Sequence, residues 1–125
     1  MASLFLVFSA LFGFSAVALG AFAAHGLKTR LTVESLDVFQ TGVQYQMYHA
    51  LALLALAGLS QWLGGRALFN WAGGFWVLGV FLFSGSLYAL ALGGPRWLGP
   101  VTPLGGLCLL LGWLCLGLLA VKTRL

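Results

Sequence analysis

Charge is what this sequence has least of: six Lys or Arg and two Asp or Glu in 125 residues, 6% where a soluble domain carries about 25%. With 62% apolar residues beside so few charges, a water-soluble enzyme, a nucleic-acid-binding module and a disordered tail are excluded. The charged positions leave four uncharged runs, Met1–Leu27, Val38–Gly65, Ala67–Pro95 and Trp97–Val121. Each exceeds the about 20 residues that a helix needs to cross a bilayer. The runs are continuously apolar and do not alternate, which disfavours a transmembrane β-barrel. Cysteine is nearly absent, and Cys108 and Cys115 on one helix would stand about 10 Å apart, too far for a disulfide. Also missing are a Gly-x-Ser-x-Gly elbow, a phosphate loop, a dinucleotide fingerprint and the HExxH or CxxC spacings of a zinc site. No charge lies deep in a span, as a proton-coupled carrier or voltage sensor would need. No catalytic residue, cofactor or metal is therefore expected, and the chain reads as non-enzymatic.

What is present is an all-α integral membrane pattern: a single domain, residues 1–125, of four transmembrane helices in a compact bundle. The spans fall at about 4–24, 43–63, 69–92 and 103–121. The small residues Ala21, Ala23 and Ala24 also fit a signal-peptide cleavage site, but no Lys or Arg precedes the apolar stretch, which favours an uncleaved helix. His25-Gly26 is expected to end the first helix through a left-handed glycine cap. Thr32 is placed to cap a second helix, with Glu34 and Asp37 near its positive end. That helix reads as unbroken to Trp62, about 46 Å, so its first third is an interfacial extension before the membrane is entered near Val43. Gly64-Gly65-Arg66 makes the second turn, and Gly93 to Pro100 is too rich in Gly and Pro to be helical throughout. Pro103 suits the first turn of the last helix, and Trp62, Trp71 and Trp97 mark span ends.

Four spans put both termini on one face, side A, and the first and third loops on side B. Arg66, Lys122 and Arg124 fall on side A and Lys28, Arg30 and Arg96 on side B, so the positive-inside tally is balanced. Polar residues of the spans gather towards side B. On the second helix Asp37, Gln40, Thr41, Gln44 and Tyr48 form a stripe at spacings of three and four, with Glu34, Tyr45 and His49 on its shoulder. Unpaired polar groups cost several kcal/mol in hydrocarbon, so the stripe must face inward, the headgroups or a wet cavity. One reading is glue between helices. The sharper one is a polar pocket at the loop-1/loop-3 end for a small ligand, ion or lipid headgroup, built from His25, Gln44, Gln46, Tyr48, His49, Ser86 and Tyr88. A metal held by His25 and His49 with Glu34 or Asp37 is a weaker alternative.

Gly105, Cys108, Gly112 and Cys115 form a small-residue seam on the fourth helix, and Ala16, Gly20 and Ala24 another on the first. Gly74, Gly79 and Gly85 thin the third helix. Such seams allow close packing within one bundle or between subunits. Phe12-x-Phe14-Ser15-Ala16 and Phe81-x-Phe83-Ser84-Gly85 share a pattern on two helices of equal direction, a match short enough to be chance.

Four stretches in order, Gly20–Leu27, Val43–Leu51, Phe83–Tyr88 and Thr102–Gly106 with Gly112-Trp113, resemble the membrane family called domain of unknown function 423. That family includes the YgdD-like inner-membrane proteins of bacteria and a small animal transmembrane relative. The resemblance covers nearly the whole chain and implies a four-span protein of the bacterial inner membrane; it implies no reaction or ligand. Ala23 departs from it where glycine is expected. The lipid bilayer is the expected partner, with a homo-oligomer or a larger membrane complex left open and nucleic acid excluded. Rival functions are an accessory subunit docking such a complex and an oligomeric pore or transporter component.

Overall fold

A computed structural model describes residues 1–64 and 66–123. Gly65 of the second expected turn and Arg124 of the charge tally lie outside the described residues. The chain forms four helices, α1 (Ala2–Phe22), α2 (Val33–Gly58), α3 (Arg66–Ala91) and α4 (Val101–Thr123), with no strand among the described residues. A π-helical turn, Ala23–Leu27, extends α1, and a 3-10 turn, Arg96–Leu98, leads into α4.

Three stretches are long and apolar enough to cross a membrane: Ala2–Leu27, Arg66–Ala91 and Arg96–Thr123. The second helix falls short because Gln40, Gln44, Tyr45, Gln46, Tyr48 and His49 occupy its middle. It is also shorter than expected. Thr32, in extended backbone, accepts a hydrogen bond from the Ser35 amide at 3.1 Å and starts the helix as its sequence foretold. The far end is Gly58, not Trp62: the chain leaves the helix at Leu59, and the Trp62 amide bonds to the Leu59 carbonyl at 2.9 Å in a following turn. Glycine is a weak helix former, and Ser60 and Gln61 beyond it gain from solvent. Its 26 residues span about 39 Å.

The first helix does not stop at Gly26 either. The only described glycine with positive φ is Gly93, at +90°, just past the end of α3. At Gly26 the chain winds on, because Ala23 and Leu27 are buried in a small core with Phe39 and Ala91, and that packing carries the turn past the glycine. The absent side chain instead makes room for the Phe22 ring, which an added Cβ would meet at 2.6 Å.

Helices neighbouring in the chain are neighbours in space: α1 packs on α2, α2 on α3 and α3 on α4. Thus α2 and α3 are the inner pair, and α1 and α4 flank them. The seams foreseen on α1 and α4 serve these contacts. Gly105 lies against the backbone of Phe83, Gly112 against the Trp76 ring, and Gly79 against Leu109. Ala16 is fully buried, and Gly20 faces Val43. Gly74 and Gly85 face open space and thin nothing. Since lipid tails are as apolar as leucine, it is this close fit, not water exclusion, that holds such helices together. The Phe-x-Phe-Ser repeats occupy matching places: the rings of Phe12 and Phe81 meet edge-on at 5.5 Å, and Ser15 and Ser84 both hydrogen-bond to α2.

Candidate ligand groove

The polar residues expected to share one pocket are divided by the fold into three settings. His25, Gln44 and Tyr48 are exposed, His25 on the π-helical turn. Gln44 joins Asp37, Gln40 and Thr41 along a groove of about 420 Å³ between α1 and α2, beside Gly20 and Val43. The polar stripe therefore faces outward into this groove, with Tyr48 standing apart from it.

The second group lies between helices. Gln46 is 4% exposed, and its Nε2 donates to the Phe12 carbonyl at 2.9 Å and to the Ser15 hydroxyl at 2.6 Å. Its Oε1 accepts from the Tyr88 hydroxyl at 2.6 Å, so one amide ties α1, α2 and α3 together. The Ser84 hydroxyl donates to the Gly42 carbonyl at 2.7 Å, and Ser9 to the Ala50 carbonyl at 2.8 Å. Ser86 joins Thr102 across the α3–α4 turn. Each of these groups is hydrogen-bonded within the protein.

His49 stands alone in the third setting, facing α4. Its Nε2 lies 3.0 Å from the Trp113 indole nitrogen, and its Nδ1 2.7 Å from the Tyr45 carbonyl. An indole N–H only donates, so Nε2 must accept. The proton then sits on Nδ1 and is given to Tyr45; the ring is neutral and both nitrogens are used. The ring also packs against Trp76 and Trp113, with centroids 6.1 and 5.9 Å away, and those two indoles lie 4.7 Å apart. The Trp76 N–H is buried without a hydrogen-bond partner. Among the described residues no three His, Cys, Asp or Glu side chains gather as a metal site would require, and Cys108 and Cys115 are free thiols.

Beside His49 is a cavity of about 510 Å³, within the range of small-molecule sites. Tyr45 and His49 of α2 form one wall, and Leu107, Leu110 and Trp113 of α4 the other, with Phe83 between. It exists because α2 and α4 are held apart by α3 instead of packing on each other. Gly106 keeps it open: a Cβ there would meet nothing closer than the Phe83 ring at 3.7 Å, so the space belongs to the groove. The groove is apolar apart from Tyr45, His49 and Trp113.

Of the residues expected at a site, only His49 lines this groove. Tyr45, Trp113, Phe83 and Gly106 were not singled out as site residues. Tyr45 and His49 share a face of α2 at a spacing of four, the shoulder of the polar stripe on which the sequence places both. The approach of Trp113 depends on how α4 docks, which no local pattern reports.

Residues 19–106 match the family model described as protein of unknown function (DUF423). The chain is 43% identical to the UPF0382 membrane protein YwdK of Bacillus subtilis, over 94% of this chain and 96% of that one. It is also 43% identical to a UPF0382 membrane protein of Haemophilus influenzae, over 99% and 98% of the two chains. With the UPF0382 inner membrane protein YgdD of Escherichia coli it shares 42% identity over 95% and 90%. No solved structure matches it.

Proposed function

The chain belongs to the DUF423 family of membrane proteins, and on that premise we propose that it is a four-crossing, non-enzymatic protein that binds a small lipid-soluble molecule between α2 and α4. Helix direction supports the fourth crossing. Phe5 of α1 meets Phe69 of α3, and Phe12 meets Phe81, so α1 and α3 run parallel. If both cross from side A to side B, α2 must bring the chain back. Its polar residues are accommodated by the hydrogen bonds of Gln46 to α1 and α3 and by the outward-facing groove that Asp37, Gln40, Thr41 and Gln44 line.

The observation that carries the binding role is the open groove beside His49, kept free by Gly106. It opens sideways at the depth of the acyl chains, so a guest would enter from the bilayer. The buried polar cluster of Gln46, Tyr88, Ser84 and Ser86 supports the groove by fixing α2 and α3 and does not itself bind. The docking role has less to draw on, because Ala16 and Gly20 of the α1 seam and Gly105 and Gly112 of the α4 seam already pack within the chain.

Native mass spectrometry of protein released gently from its own membrane tests this reading. A stoichiometric extra mass in the unaltered protein, lost in Gly106→Leu, is the expected result. A bare chain in both, at equal folding, overturns it and returns the docking role to first place.

A further inference from the structure

The gap between α2 and α4 does not end at Trp113. Beyond the indole, towards side A, lies a second cavity of about 90 Å³, walled by Ala52, Ala55 and Leu59 of α2 and Leu116 of α4. Trp113 lines both spaces. It is held across the gap by its hydrogen bond to His49 and by the Trp76 ring. The indole is thus a partition in a longer slot whose α2 wall, at Ala52 and Ala55, is made of small side chains.

The main groove has the dimensions of one leaflet. From Pro103 to Trp113 its α4 wall rises about 15 Å, half of the roughly 30 Å hydrocarbon core. At the deep end both ring nitrogens of His49 and the N–H of Trp113 are already paired, so that end offers nothing to a polar group. The shallow end, at Pro103, lies at the start of α4, beside the side-B interface. A guest matching this profile is long, slender and apolar at one end, with its polar group at the interface.

Resting on the groove reading above, we propose that the occupant is a single hydrocarbon chain with a polar end, and that Trp113 is the stop that fixes the accepted chain length. Each methylene held short of the indole adds close contact with the groove walls, the same fit that favours helix packing over lipid. The next would have to break the His49 bond and displace the indole. Removing the indole opens the slot to Leu116, about 4.5 Å deeper.

The experiment offers the full-length protein in nanodiscs a series of saturated fatty acids from decanoic to icosanoic, with a prenyl alcohol series as a second arm, and reads occupancy by native mass spectrometry. Occupancy in the unaltered protein is expected to rise with chain length up to one carbon number, then break. Trp113→Ala moves the break to longer chains, and Trp113→Phe, which keeps an aromatic stop, leaves it in place. Leu110→Phe, at an exposed groove position, moves it to shorter chains and serves where Trp113→Ala does not fold. The arm with the sharper break identifies the chain type. A break that stays fixed in Trp113→Ala and Leu110→Phe overturns the stop while leaving the groove occupied. Equal occupancy in the unaltered protein and in Gly106→Leu overturns the groove reading as well.

Discussion

Trp113 donates its indole N–H to His49 Nε2 across 3.0 Å, linking two helices that otherwise leave a cavity between them. A polar pair at this depth has no water to fall back on, so it fixes the ring of His49 in one tautomer and the indole of Trp113 in one orientation. The groove beside it owes its shape to this pair as much as to its apolar walls.

The bond between them is measurable as a coupling. In a double-mutant cycle of His49→Ala and Trp113→Phe, read by unfolding in mixed micelles, the interaction is expected at about 0.6 to 1.7 kcal/mol, the range of hydrogen bonds between membrane helices. A coupling near zero would mean that the two rings are neighbours without being partners.

Gln46 should be the costliest single polar loss. Gln46→Leu leaves the Tyr88 hydroxyl without its acceptor in the packed interior and removes a second donor from the Phe12 carbonyl, and a buried group left without a partner costs about 1 to 3 kcal/mol. Adding Tyr88→Phe removes the stranded hydroxyl and should recover part of the loss in the same unfolding assay. A double variant weaker than the sum of its parts would contradict this account.

These two residues mark what the sequence could and could not disclose. Helix number, the cap at Thr32 and the gathering of polar groups towards side B follow from charge spacing and helical periodicity, which are local. Which polar groups pair is decided by the rotation of each helix against its neighbours. Gln46 and Gln44 are close in the chain, yet one is buried against α1 and α3 and the other lies in an open groove. The glycines mislead in the same way. Gly26 reads as a helix end, but the burial of Ala23 and Leu27 carries the winding past it, and Gly58, with no such packing around it, ends α2 instead.

Gly105 and Gly106 are consecutive but should respond oppositely to a methyl group. At Gly105 an added Cβ runs into the backbone of Leu82 and Phe83, which cannot yield without separating α3 from α4. Overpacking of this kind costs about 1 to 3 kcal/mol. At Gly106 the nearest atom is 3.7 Å away on a ring, so Gly106→Ala is expected to change stability by no more than about 0.5 kcal/mol. Unfolding both variants side by side checks the orientation of α4; a severe loss at Gly106 would place the groove elsewhere.

Four crossings make a topological statement that labelling can check. Single cysteines in place of Ser3 and Thr123 should react with a membrane-impermeant maleimide from the same side, and one in place of Lys28 or Trp97 from the other, in a background where Cys108 and Cys115 are serine. Three crossings, with α2 lying along the surface, would instead bring Ser3 and Thr123 to opposite sides. That alternative demands that α3 run against α1, whereas Phe5 meets Phe69 at 5.5 Å and Phe12 meets Phe81 at the same distance, a pairing available only to parallel helices. The Gly64 amide also bonds to the Thr123 hydroxyl at 3.2 Å, which holds the α2–α3 turn and the end of α4 at one face. Same-side labelling of Ser3→Cys and Thr123→Cys is therefore the expected outcome, and opposite-side labelling would remove the bilayer-facing groove along with the fourth crossing.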